Sequence, residues 1–76
     1  SVEKVRFHHF MWDVTLAYYL IWARIEDELM PRSSWEFART DFVNQWVGKP
    51  GGRSWWKSTD IFIPAEFRDE IDGALE

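Results

Sequence analysis

Residues 2–31, VEKVRFHHFMWDVTLAYYLIWARIEDELMP, contain no glycine and no proline before Pro31. An uninterrupted stretch bounded by proline reads as one helix over about 2–30, because a proline lacks the backbone donor and pushes the residue before it out of the α region. Its apolar residues fall into two stripes. One, Phe7, Met11, Val14, Tyr18, Ile21 and Ile25, advances by alternating steps of four and three, the spacing of a heptad seam. The other runs through Trp12, Leu16, Tyr19 or Leu20, and Ala23. A helix apolar over so wide a surface is buried on more than one side. The remaining segments can cover one stripe, and the heptad-like seam is expected to form an oligomer interface. A membrane span fits less well: the apolar run from Phe10 to Ala23 contains Asp13 and Thr15 and falls short of the ~20 residues that a bilayer needs. An apolar span upstream of Ser1 would change that reading.

Three shorter helices are expected after Pro31. Pro31-Arg32-Ser33-Ser34 makes a turn, and Ser33 with Glu36 has the spacing of a capping box opening a helix over about 34–47. Its core stripe is Trp35, Ala38, Phe42 and Trp46, with Val43 beside it. Gly48 stands where a left-handed C-terminal residue is expected, and Pro50 blocks continuation. A short helix over about 51–59 carries Trp55 and Trp56, and a fourth over about 64–75 has Pro64 in its first turn and Phe67, Ile71 and Leu75 at steps of four. The fold class is therefore all-α, a single helical domain with one long N-terminal helix and three shorter ones packed on it, associating as a dimer or higher oligomer.

The stretch Lys49-Pro50-Gly51-Gly52-Arg53-Ser54-Trp55-Trp56-Lys57 joins a helix stop to a basic pair of tryptophans. Adjacent residues stand about 100° apart on a helix, so one indole is expected in the core and its neighbour between elements or against a partner. No acidic residue occurs between Asp41 and Asp60, while Lys49, Arg53 and Lys57 all lie there; Asp60, Glu66, Asp69, Glu70, Asp72 and Glu76 then face Arg68 alone. This basic elbow, Lys49, Arg53, Trp55, Trp56 and Lys57, is the expected contact for an anionic group: the chain's own acidic tail, a partner, or an anionic membrane surface.

Composition narrows the function classes. A chain of 76 residues is near the size at which one core struggles to hold itself together, and its six Trp, six Phe and two Tyr supply much of the burial it needs. Without cysteine there is no disulfide framework, thiolate metal site or thiol nucleophile. A net charge of −4 with only three clustered cations argues against nucleic acid as a partner. His8-His9, and His9 with Asp13 one helical turn away, supply two ligands where a closed zinc site takes four, so no metal site and no cofactor is expected. The consecutive carboxylates Glu26-Asp27-Glu28 fan around the helix and do not converge on a cleft. They oppose the dipole at a helix C-terminus, which invites Arg32 or a partner's cation as compensation. No nucleophile elbow or phosphate loop is present, and no catalytic residues are assigned.

At Pro50-Gly51, Arg53 and Trp55-Trp56, followed by Phe62, Phe67, Ile71 and Asp72, the chain resembles a loose group of small bacterial proteins of uncharacterised function. Many of these look like an N-terminal membrane anchor followed by a helical cytoplasmic segment. Trp35 fits their first tryptophan and Glu28-Leu29 the acidic end of their long helix. The resemblance covers about Phe7 to Leu75. It implies packing residues, no chemistry, and a location in the cytoplasm or at the cytoplasmic face of a membrane. The expected function is a non-enzymatic helical interaction module that self-associates through its long helix or holds a protein partner. Its rivals are a peripheral membrane-surface module and a binder of a small ligand or metal.

Overall fold

The long helix α1 runs over Val2–Glu26, and its first turn is held by Ser1, whose hydroxyl accepts from the Lys4 amide at 3.2 Å. The structure, a computed structural model, describes residues 1–59 and 61–76. At about 1.5 Å per residue, the 25 residues of α1 account for most of the molecule's 41 Å length. Helix α2 covers Arg32–Phe42 and passes directly into a π-helical turn, Val43–Val47; α3 is Pro50–Ser58 and α4 is Ala65–Leu75. The architecture is all-α, with three short helices laid along one side of a long one. Asp60, counted above in the acidic tail, lies outside the described residues.

α1 ends four residues earlier than Pro31 alone dictates. The Leu29 amide donates to the Arg24 carbonyl at 2.8 Å and the Glu28 amide to that of Ile25 at 3.0 Å, the double bond pattern of a Schellman turn, with Glu28 at φ 61°. A Cβ-bearing residue in the left-handed region costs roughly 1 kcal/mol, and a carboxylate there also opposes the helix dipole. Glu28→Gly is expected to stabilise the chain by about 1 kcal/mol, read as a higher urea midpoint at unchanged m-value.

The turn into α2 also differs from its sequence signature. Pro31, extended at ψ 149°, takes the N-cap position, so α2 starts at Arg32, no side chain caps it, and the Ser33/Glu36 capping box does not form. Along α2 the buried residues are Trp35, Ala38 and Phe42, as the spacing predicts. Beyond Phe42 the helix widens: the Gly48 amide reaches back five residues to the Val43 carbonyl at 2.7 Å. The extra residue moves the buried position from Trp46 to Val47, which is fully buried. Gly48 is right-handed, at φ −84°, so the left-handed terminus expected there does not occur. Its lack of a side chain serves close approach: a Cβ would stand 3.3 Å from the Val43 carbonyl carbon and closer still to the oxygen. Gly52 is held more tightly, since a Cβ there would lie 2.7 Å from the Trp46 carbonyl carbon. Pro50, with no amide to leave unpaired, opens α3.

Aromatic rings fill the centre. Phe67 of α4 lies 5.7 Å from Trp35, 5.9 Å from Trp22 and 6.4 Å from Trp56, so rings from all four helices meet around it. Phe42, Ile71, Met11 and Ile25 complete the core. Thr15 is fully buried on the inner face of α1, and its hydroxyl donates to the Met11 carbonyl at 2.7 Å.

Candidate functional site

The heptad-like seam of α1 faces the chain's own short helices. Met11 and Ile25 are buried; Val14, Tyr18 and Ile21 are half-buried and packed on the core; only Phe7, at 41% exposure, is open. Tyr18 stacks on Phe42 with ring centres 4.6 Å apart, and its hydroxyl donates to Asp41 of α2. Burial, and then the Asp41 hydrogen bond, push the Tyr18 phenol above its usual range, against a smaller opposing effect of Trp46. An oligomer interface built from Met11, Val14, Tyr18, Ile21 and Ile25 is thus corrected: this surface is occupied within the monomer. The three short helices cover the seam because α2 presents Phe42 and Asp41 to Tyr18, pairing an apolar ring with a ring and a hydroxyl with a carboxylate.

The second stripe is open only in part: Trp12, Tyr19 and Ala23 pack on the core, with Tyr19 5.7 Å from Phe67, while Leu16 and Leu20 stay outside. Leu20 is 53% exposed, Leu16 is 36% exposed, and Trp12 and Ala23 beside them are half-buried. Toward the N-terminus Val2 and Val5 are exposed as well, whereas Phe10, also half open, turns toward Trp46 of the π turn at 5.5 Å. This outer face points away from α2, α3 and α4 and carries Leu16 and Leu20 on its middle, with Asp13 and Arg24 along one edge. Elsewhere the exposed large apolar residues, Leu29, Phe37 and Phe62, stand apart on separate elements.

The basic elbow separates into two layers. Lys49, Arg53 and Lys57 are exposed, whereas Trp55 and Trp56 are both buried, so the expected division of the indoles into one inside and one outside does not hold. Each indole is needed inward by a different neighbour. Trp55 donates from Nε1 to His8 Nδ1 of α1 at 3.0 Å, and Trp56 donates to Asp72 Oδ1 of α4 at 2.7 Å. Arg68 lies over the Trp56 ring at 4.5 Å. The short α3 packs mainly on the π turn, with Trp55 reaching α1 and Trp56 reaching α4, so both of its large side chains find cover.

The acidic tail is met elsewhere. Glu70 pairs with Arg32 at 2.6 Å and Arg39 at 3.5 Å, so Arg32 compensates α4 and not the acidic end of α1. Among the described residues Lys49, Arg53 and Lys57 have no carboxylate within ion-pair distance. Lys49 and Arg53 border a shallow groove of about 270 Å³ closed by Val43, Asn44, Gly48, Ala74 and Leu75. No protein-family model, curated protein or solved structure matches this chain.

Other candidate chemistry is dispersed. His8 is engaged by Trp55, and His9 and Asp13 are exposed. Among the described residues no group of three or more His, Asp or Glu side chains comes together, and no helix is long and apolar enough to cross a membrane. Sequence spacing missed three partners that organise the inside: Thr15, the His8–Trp55 pair and the Trp56–Asp72 pair. Only the last left a trace, in the motif that places Asp72 directly after Ile71.

Proposed function

We propose that this chain is a non-enzymatic helical interaction module that associates through the outer face of its long helix, most simply with itself. The exposure of Leu16 and Leu20, side by side on the face opposite the core, carries this reading. Contiguous apolar surface on a soluble face marks an association site, whereas single exposed apolar residues do not. Packing of the first stripe, and of Trp12, Tyr19 and Ala23 of the second, on the monomer's own core leaves Leu16 and Leu20 as the apolar residues of that face still to be covered. A setting in the cytoplasm or at the cytoplasmic face of a membrane suits such a module. A second reading, contact with an anionic membrane surface, draws on the unpaired cations Lys49, Arg53 and Lys57 but has no indole beside them to enter the interface, since both tryptophans are committed to the core.

Leu16→Glu with Leu20→Glu tests the outer face directly. Both positions are partly open to solvent, so the double variant is expected to fold like the wild type, within roughly 0.5 kcal/mol per site, while losing self-association in sedimentation equilibrium. A wild-type chain that stays monomeric at every concentration, or a double variant that associates as the wild type does, would overturn the proposal.

A further inference from the structure

The outer face of α1 carries charges as well as leucines, and their placement selects one arrangement of two copies. At about 100° per residue, Leu16, Leu20, His9 and Asp27 lie on the centre line of this face; Trp12 and Ala23 flank it on one side, and Asp13 and Arg24 on the other. His9, Asp13, Arg24 and Asp27 are all exposed, and among the described residues none has an ion-pair partner. The helix is regular from Val2 to Glu26, and Asp27 caps it at φ −86°, so these phases hold along the whole face.

We infer that two copies pair antiparallel through this face, about a two-fold axis crossing α1 beside Tyr18. The inference rests on the association proposed above and names its partner and register. An axis perpendicular to both helices brings each flank against the same flank of the other copy, and pairs residues equally distant from the axis along the chain. Leu16 then meets Leu20 of the second copy on the centre line, and His9 meets Asp27. On the flanks the match is within one residue of equidistance: the large Trp12 lies against the small Ala23 on one side, and Asp13 against Arg24 on the other. Each pair occurs twice. Opposite charges, large against small, and leucine against leucine all fall into place at the same register.

The parallel alternative fails on the same residues. A two-fold axis running along the helices sets each flank against the opposite one, so Asp13 lies beside the second copy's Trp12 and Arg24 beside its Ala23, and the Asp13–Arg24 pair is lost. On the centre line Asp27 meets Asp27 and His9 meets His9. Like charges juxtaposed across a helix pair are a recognised determinant of orientation, and here they act against the parallel form.

Charge exchange tests the register. In sedimentation equilibrium, Asp13→Arg alone and Arg24→Asp alone are each expected to weaken dimerisation by roughly tenfold, because each change sets up a like-charge pair twice across the axis. Asp13→Arg combined with Arg24→Asp is expected to restore wild-type dimerisation. The cysteine-free chain permits a second measurement: Leu16→Cys mixed with Leu20→Cys should oxidise to the mixed disulfide faster than either variant couples with itself. A double charge variant as weak as the single ones, or self-coupling of Leu16→Cys as fast as mixed coupling, would overturn the antiparallel register. If Leu16→Glu with Leu20→Glu abolishes association while the charge exchange fails to rescue, the outer face stands and the register falls. Association that survives the glutamates overturns both.

Discussion

Gly52→Ala is expected to cost about 3 kcal/mol, the upper part of the range for overpacking, because the atom in the way is backbone. A Cβ at this position would lie 2.7 Å from the Trp46 carbonyl carbon, and that carbonyl belongs to the π turn, held in place by Val47 in the core and by the Gly48–Val43 hydrogen bond. A side chain in the way could change rotamer; here α3 would have to move as a body, drawing Trp55 and Trp56 with it. For a 76-residue domain with total stability of roughly 4–11 kcal/mol, such a loss removes a large share. Gly73→Ala is the control. A Cβ there meets nothing within 4 Å, and the change should stabilise α4 by about 0.5 kcal/mol through helix propensity. Urea unfolding that shows equal, small effects at both positions would refute the close-approach account.

Trp56→Ala is expected to be the most damaging of the tryptophan truncations at α3, at about 4 kcal/mol. The indole is fully buried, meets Phe42 and Phe67 at 5.9 and 6.4 Å, and supports Arg68 on its face. Asp72→Ala separates the polar from the apolar share: it leaves the buried indole N–H without its acceptor and should cost about 2 kcal/mol. Trp55→Ala should also cost about 3 kcal/mol, since that ring is 8% exposed and tied to His8. A Trp55 variant as stable as the wild type would restore the division of labour that the pair's spacing suggests and contradict the geometry described here.

The helices were legible because their cause is local. An unbroken run to Pro31, the Trp35–Ala38–Phe42 spacing, and Pro50 and Pro64 at or just before helix starts each act within a few residues, and each holds in the structure. The ends were less legible where two local rules compete. Pro31 permits a helix up to Met30, yet the chain turns in a Schellman motif at Glu28, which the run Glu26-Asp27-Glu28 does not signal, since a carboxylate with a Cβ is disfavoured at that position. The identity of the two stripes on α1 was not legible at all. Both are apolar at helical spacing, and the short helices meet each in part: Phe42 and Asp41 meet Tyr18 of the first, and Phe67 meets Tyr19 of the second at 5.7 Å. Likewise, 100° of separation puts Trp55 and Trp56 on different faces, but α3 is covered on both, a fact that no periodicity within nine residues contains.

The π turn has the form of a one-residue insertion. Had the α-helical pattern continued from Phe42, the next inward position would fall on Trp46, and an indole would enter the site that Val47 fills. The wider turn takes one more residue to come round, holding the phase back by about 100°, so Trp46 stops short of the core and rests 5.5 Å from Phe10 while the smaller valine closes it. In genetic terms the five residues Val43–Val47 act as a ruler. Loss of Asn44 or Gln45 would let the segment close as a regular α-helix with Val47 four residues after Phe42, so valine would stay inside and Gly52 would keep its register with the Trp46 carbonyl.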